Sequence, residues 1–487
     1  MTASHRTPQG QSRREFIKRL AALSAAGSAA PMALNLAAIG EAAAFEATDY
    51  KALVCVFLYG GNDYANSLVT YDAATHAAYA QLRSTVAFAR DQLASTVLHP
   101  RTALPDGRQY ALAPSVTRVN RITNVQATYA QLSPLLPLFD AGQLAVLLNA
   151  GPLVQPTTKA DYVARRALPP KLFSHNDQQS VWQSLKPEGA TSGWGGRLGD
   201  LAASNNGKAT FTCINAAGNA VFLAGQNVSQ FQVSTRGAQQ IDAIADPIFG
   251  SAACADLLGK LVTADTGSHL FERELTAVMR RSLAAQGGLR DALSGVQDPA
   301  TAFPANALGA QLRLVTRLIA ARGSLGAKRQ VFMVAMGGFD THSALYGSHP
   351  VLMTRVGSAL AAFQAALQEI GMADRVTTFT TSDFGRTLTA NGVGEGAGSD
   401  HGWGGHYLVM GGAVDGGRFF GRAPVMELDG PDTVGSGRLL PSLSVDEYAA
   451  ALGGWLGASD GALLELLPNW RRFVDPAAPA RLPLFKA

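Results

Sequence analysis

Aspartate and histidine recur where apolar runs of this 487-residue chain end. Asp63 closes Gly60-Gly61-Asn62-Asp63, Asp340 and His342 follow Gly337-Gly338, and Asp383 follows Ser382. Asp400 and His401 follow a glycine-rich loop, and His406 comes shortly after them. A lone aspartate after a strand is usually a turn former or helix cap. Several gathered at one place repel one another, and a divalent cation is the usual means of neutralising them. Mixed Asp/His sets suit zinc, manganese or iron, whereas oxygen-only sets suit magnesium or calcium. The expected cofactor is therefore a divalent metal (zinc, manganese or calcium), with Asp63, Asp340, His342, Asp383, Asp400 and His401 as candidate ligands.

A second segment bears on the chemistry. Leu172-Phe173-Ser174-His175-Asn176-Asp177 leads into a helical stretch, Gln178 to Trp182. Ser174 with Asp177 three residues on reads as an N-cap. A helix N-terminus also welcomes an anion, and a hydroxyl placed there beside a metal can act as nucleophile, so Ser174 is a candidate catalytic residue. Arg386 is the candidate for steadying anionic oxygens, its alternative being a salt bridge to a neighbouring carboxylate. His76, His99, His269 and His349 lack polar company and read as structural.

These groups need elements to position them. Lys51–Tyr59, Leu144–Leu148, Val331–Ala335, Val376–Thr380 and Tyr407–Met410 are short, nearly continuous apolar runs, the pattern of strands buried on both faces. Leu312–Ala321 and Val356–Ile370 carry apolar residues at helical spacing. Alternation of the two predicts an α/β fold, a mostly parallel sheet with helices on both faces. Ligands of such sheets bind at the carboxyl ends of the strands, where the Asp and His residues lie. Residues about 205–305, with short strands followed by a helix over Ser268–Leu293, read as a cap inserted into the main domain of 45–487.

Residues 1–44 carry the strongest local signal. Ser12-Arg13-Arg14-Glu15-Phe16-Ile17-Lys18 is a twin-arginine pattern, followed by an alanine-rich apolar stretch and Ala42-Ala43-Ala44, an A-x-A-type cleavage site. The expectation is export by the twin-arginine translocase to a periplasmic or secreted location. The chain has 40 Lys+Arg against 36 Asp+Glu, and three of the four excess positive charges sit in that leader. No basic face interleaved with aromatics points to nucleic acid. A disordered chain is excluded by 47% hydrophobic against 16% charged residues. After the leader no apolar run is long enough to predict a stable membrane span. Three cysteines permit one bridge in an oxidising compartment, Cys213 with Cys254 being the favoured pair.

Taken together, the leader, Leu58–Asp63, Ser174-His175, Gly337–Ser343, Ser382–Thr387, Asp400–Gly405 and Gly411–Gly417 resemble the exported bacterial domain-of-unknown-function family 1501. The resemblance implies an alkaline phosphatase-like fold shared with sulfatases and phosphomutases. It implies Asp63 (or Asn62) as a first-strand ligand, Ser174 as nucleophile and Asp340 with His342 as a ligand pair. It implies Asp383 and His401 as further ligands. The chain departs from that pattern at Asp383-Phe384, where an imidazole is missing, and in the short spacing of Asp340 and His342. The departures imply one metal instead of two, replacement of the lost ligand by Asp400 or His406, or loss of catalysis. The implied function is an exported metal-dependent hydrolase of phosphate or sulfate esters, acting on an anionic ester substrate through serine or water. The alternative is an exported binding protein on the same fold with a degenerate metal site.

Overall fold

The computed structural model describes residues 47–120, 125–235, 237–238, 242–264 and 269–486. The leader, with its paired arginines, lies outside the described residues. One sheet of ten strands organises the chain: β1 (Lys51–Leu58), β2 (Leu144–Gly151), β3 (Cys213–Asn215), β4 (Phe231–Ser234), β5 (Gly237–Ala238), β6 (Arg329–Met336), β7 (Val376–Ser382), β8 (Gly405–Met410), β9 (Arg418–Phe420) and β10 (Leu443–Ser444). Their order in space is β9-β2-β8-β7-β1-β6-β3-β4-β5, with β10 also on β2.

Register puts the chemistry on one rim. β1 runs parallel to both β6 and β7, and Leu58 stands level with Met336 and Ser382. The loops that begin Gly60, Gly337 and Asp383 therefore leave the sheet side by side. β8 is antiparallel to β7 and to β2. Because of that reversal, the segment before β8, with Asp400 and His401, reaches the same rim as the segments after its neighbours.

Helices cover both faces: α1 (His175–Ser184), α2 (Trp194–Ala202), α3 (Ala252–Thr263), α4 (Leu270–Ser294), α5 (Ala307–Ala320), α6 (Leu345–Glu369) and α7 (Val445–Leu456). Alternation along β1 divides the core. Ala52, Val54, Val56 and Leu58 share one cluster with Leu312 and Val315 of α5 and with Val356 and Phe363 of α6. Leu53, Cys55 and Phe57 share the other with Trp182, Trp194, Leu198, Tyr448 and Leu452. A strand buried twice over needs an uninterrupted apolar run, which is why its sequence lacks the polar alternation of a half-exposed strand. Among the described residues α6 alone is long and apolar enough to cross a membrane, but its apolar side packs on the sheet.

Two expectations are corrected. Residues 205–305 are not a cap throughout, because β3, β4 and β5 extend the main sheet, while α3 and α4 stand outside it, α4 touching the core through Leu289 and Leu293. Cys213 and Cys254 do not pair: Cys213 is buried on β3, Cys254 is exposed on α3, and both are free.

α7 begins with a capping box, in which the Glu447 N–H donates to Ser444 Oγ and the Ser444 N–H donates to Glu447 Oε2. Beside it Asp446 is buried and accepts the Asn469 N–H at 3.2 Å. Burial pushes its pKa up to about 7, above the ordinary 3.8. A group whose pKa is raised by folding lends stability that is complete below the unfolded value and is lost as pH climbs through the folded one. Tm is therefore expected to fall by a few degrees between pH 4 and 7 on this account. Asp446→Asn should flatten that slope in a thermal melt series, and an unchanged slope contradicts the assignment.

Candidate metal centre

The rim loops can meet only because two glycines let them. Gly60 and Gly61 take φ of +116° and +85°. A Cβ on Gly60 would lie 2.3 Å from the Asp340 backbone nitrogen, and one on Gly61 would lie 2.4 Å from the Phe384 ring. The turn after β1 thus passes directly beneath the Asp340 loop, which it holds through the Phe339 N–H to the Tyr59 carbonyl at 3.1 Å.

Above that turn, three imidazoles converge on Asp340. Asp340 Oδ1 is 3.1 Å from His342 Nε2 and 3.3 Å from His401 Nε2, and its Oδ2 is 3.6 Å from His175 Nε2. His342 Nε2 and His401 Nε2 are 2.8 Å apart. The opposite nitrogen of each ring faces a fixed oxygen. His175 Nδ1 is 2.6 Å from Asp383 Oδ2, His342 Nδ1 is 2.9 Å from Asp400 Oδ1, and His401 Nδ1 is 2.8 Å from the Phe173 carbonyl. A carbonyl accepts and cannot donate, so His401 carries its proton on Nδ1, and the Asp383 and Asp400 carboxylate oxygens accept the Nδ1 protons of His175 and His342. The buried Phe384 ring lies beneath His175 and His401, with centroids 5.0 and 4.7 Å away.

The consequence is a cluster of lone pairs. Three Nε2 atoms and a carboxylate face one another, and only a proton or a cation relieves their repulsion. One ligand atom each from His175, Asp340 and His401 lies within 4.8 Å of the others, a group that could hold a metal ion. Metal–ligand bonds of about 2 Å put neighbouring ligand atoms roughly 2.8–3.4 Å apart; His342 Nε2 has such spacings to His401 and Asp340 but stands outside that group of three. Each imidazole is steadied on its far side, as metal-binding histidines ordinarily are.

The charges agree. The hydrogen bond to Asp383 holds the His175 pKa above its ordinary value. Burial holds that of His401 below it, helped by the positive charges of His175 and Arg386. For Asp340, burial works upward but is outweighed by the hydrogen bond and charge of Arg386 and by His342 and His175, so its carboxylate stays ionised. Asp400 is likewise held low against burial by Asn391 and His342.

The family model described as "Protein of unknown function (DUF1501)" matches residues 50–433, most of the chain. The chain belongs to the DUF1501 family. No curated protein matches it. Solved structures are similar to it, two of them as follows. The crystal structure of Ps i-CgsB in complex with k-i-k-neocarrahexaose shows 10% identity and a TM-score of 0.35, covering 88% of this chain and 78% of that one. The crystal structure of Ps i-CgsB shows 11% identity and a TM-score of 0.32 over the same shares. Likeness at that level carries no argument about the chemistry of this DUF1501 protein.

Of the residues singled out in the sequence, the centre of the DUF1501 chain brings Asp340, His342 and His401 together. Asp383 and Asp400 stand one step back: Asp383 is fully buried and takes His175 Nδ1, the Gln179 amide and the Gly60 N–H, while Asp400 steadies His342. Asp63 is elsewhere engaged. Its Oδ2 pairs with Arg83 at 2.5 Å and takes Ser399 Oγ at 3.0 Å, and its Oδ1 caps the turn Tyr64–Ser67. Neighbouring Asn62 bonds with Ser67 and His349.

Arg386 is wholly buried, donating to Asp340, the Gly60 carbonyl and the Ser399 carbonyl, so it fixes a carboxylate and is closed to a substrate. Ser174 Oγ donates to Asp177 Oδ2 at 2.9 Å, along its own helix. His406 is buried apart from the centre, accepts the Asn149 N–H on Nδ1, and is kept neutral by burial that pushes its pKa down to about 3. It is no substitute ligand. Sequence reasoning passes over His175, the one ligand candidate supplied by α1. The cue is its place as first residue of a helix, next to Ser174, whose hydroxyl bonds Asp177 and makes no cap to a helix N–H.

Proposed function

We propose that this protein is an exported, metal-dependent hydrolase of phosphate or sulfate esters with one cation per chain. The observation that carries the reading is the tautomer lock: three Nδ1 atoms committed to oxygens, three Nε2 lone pairs turned on Asp340. His175, His342, His401 and Asp340 would hold the cation. Such an imidazole-rich set fits zinc or manganese better than calcium. A divalent cation bound there supplies Lewis acidity toward an ester oxygen and lowers the pKa of water.

The chain's own part is positional. Asp383, Asp400 and the Phe173 carbonyl keep the imidazoles in one tautomer, Arg386 holds Asp340, and Phe384 gives the rings a dry floor. We assign the nucleophile to water, since the Ser174 hydroxyl is engaged with Asp177. Ser174→Ala is expected to keep turnover within about threefold of wild type. A covalent serine nucleophile would lose more than about a thousandfold. The twin-arginine pattern and Ala42-Ala43-Ala44 support export by that translocase to the periplasm.

The test is hydrolysis of nitrophenyl phosphate and nitrophenyl sulfate by zinc- or manganese-loaded protein. Turnover should vanish on chelation and return with metal. The competing reading, an exported binding protein, is favoured by one observation: Phe384 occupies the position where the resemblance expects an imidazole. Absence of turnover with either ester and either metal would favour it.

A further inference from the structure

Arg386 is closed to solvent, so the ester anion of the proposed substrate needs another cationic partner. We propose that Arg438 is that partner, the residue that receives the tetrahedral oxyanion beside the metal centre. This rests on the reading of the centre given above.

Arg438 lies on a hairpin strand, Arg438–Leu439, paired with Thr433–Val434. Its Nε donates to the His401 carbonyl at 2.8 Å, and its guanidinium lies over the Phe173 ring at 4.4 Å. Both contacts belong to the centre, since His401 offers Nε2 to the cluster and the Phe173 carbonyl holds His401 Nδ1. The guanidinium is thereby fixed by its plane and by one nitrogen. Among the described residues no carboxylate pairs with it and nothing accepts from its two Nη groups, although the residue is half-buried.

The hairpin is shaped to leave it there. Gly435, at φ +54°, has no side chain, and a Cβ at that position would lie 2.7 Å from Arg438 Nη1. Nη1 thus lies against the turn at Gly435, in the space where a side chain there would stand. A rigid planar fork with free N–H groups matches two oxygens of a phosphate or sulfate, as a lysine point charge does not. Orientation by stacking on Phe173 removes most of the rotamer freedom such a contact otherwise has to restrain.

The experiment is calorimetric titration of inorganic phosphate, and separately of sulfate, into the full chain with and without zinc. Wild type, Arg438→Gln and Arg438→Lys are compared, with zinc content and Tm measured on each. Arg438→Gln is expected to retain zinc and to melt within a few degrees of wild type, because an amide can still reach the His401 carbonyl. Its affinity for the anion should fall at least tenfold, with and without zinc. Arg438→Lys should recover only part of it. The tighter of the two anions names the ester class.

Wild-type affinity in Arg438→Gln with zinc in place overturns the assignment. Should the glutamine variant not fold, undiminished affinity in Arg438→Lys overturns the role of the fork. Should wild type take up no zinc, the reading of the metal centre fails separately. The zinc-free titration then still decides: uptake dependent on Arg438 upholds its role, and no such dependence ends it.

Discussion

Asp340→Ala is expected to abolish metal retention and to cut ester hydrolysis by more than about a thousandfold. Asp340 is the one group that touches all three imidazoles, at 3.1, 3.3 and 3.6 Å. Changing a group behind a metal ligand costs roughly 10–100-fold in affinity, and removing the ligand itself costs more. The alanine also leaves Arg386 buried without its carboxylate, which will lower stability for an unrelated reason. Asp340→Asn separates the two effects, because its amide oxygen still accepts from Arg386 while the charge is gone. Equilibrium dialysis against zinc should show both variants weakened, with the asparagine variant folded near the wild-type Tm. Wild-type zinc affinity in Asp340→Asn contradicts the assignment of Asp340.

Arg83→Met is expected to be the most destabilising single change at the rim, by about 3–5 kcal/mol. Arg83 and Asp63 are both wholly buried and pair at 2.5 Å. Burial works to raise the Asp63 pKa, but the charge of Arg83 outweighs it and keeps the carboxylate ionised. Arg83 also donates to Asn66 and to the Thr387 and Leu388 carbonyls, so it ties the turn after β1 to the loop after β7. Its loss leaves the buried Asp63 carboxylate with the Ser399 hydroxyl and the Asn66 N–H but without its cationic partner. Adding Asp63→Asn should restore part of the stability, since the amide keeps the cap on Tyr64–Ser67 without the charge. Denaturant midpoints measure this. Zinc content is the discriminating control: Asp63→Asn alone should bind zinc as wild type does, whereas a ligand role for Asp63 demands a loss.

The contrast explains what the sequence could and could not disclose. β1, β2 and β6 are legible because a strand covered on both faces is built of apolar runs; β7, Val376–Ser382, shows itself instead by its β-branched valine and threonines around Phe379. That Asp and His cluster at one rim follows from the parallel register of β1 with β6 and β7. The antiparallel run of β8 is not written in Tyr407–Met410, yet it is the reason that His401, which precedes its strand, arrives with groups that follow theirs.

Nor does a sequence announce which cation neutralises which carboxylate. Repulsion among the acids demands positive charge at the rim. For Asp63 that charge is Arg83, 20 residues on, and Asp340 has Arg386 as one partner. Internal guanidinium and external metal satisfy the same electrostatic demand, so only distances tell them apart. Ser174 attracts attention as a hydroxyl at a helix start, and the neighbouring imidazole is the group that reaches the centre. The division of 205–305 between sheet and helical arm is equally hidden, because β3, β4 and β5 are two to four residues long and carry little periodicity.

The central claim is that His175, His342 and His401 hold one cation together with Asp340. X-ray absorption on protein loaded with a single equivalent of zinc tests it most directly, with His175→Ala alongside. The account predicts one tight site per chain, a first shell with about three imidazole nitrogens, and the loss of one of them in the variant. A zinc shell without imidazole, or one unchanged in His175→Ala, contradicts it.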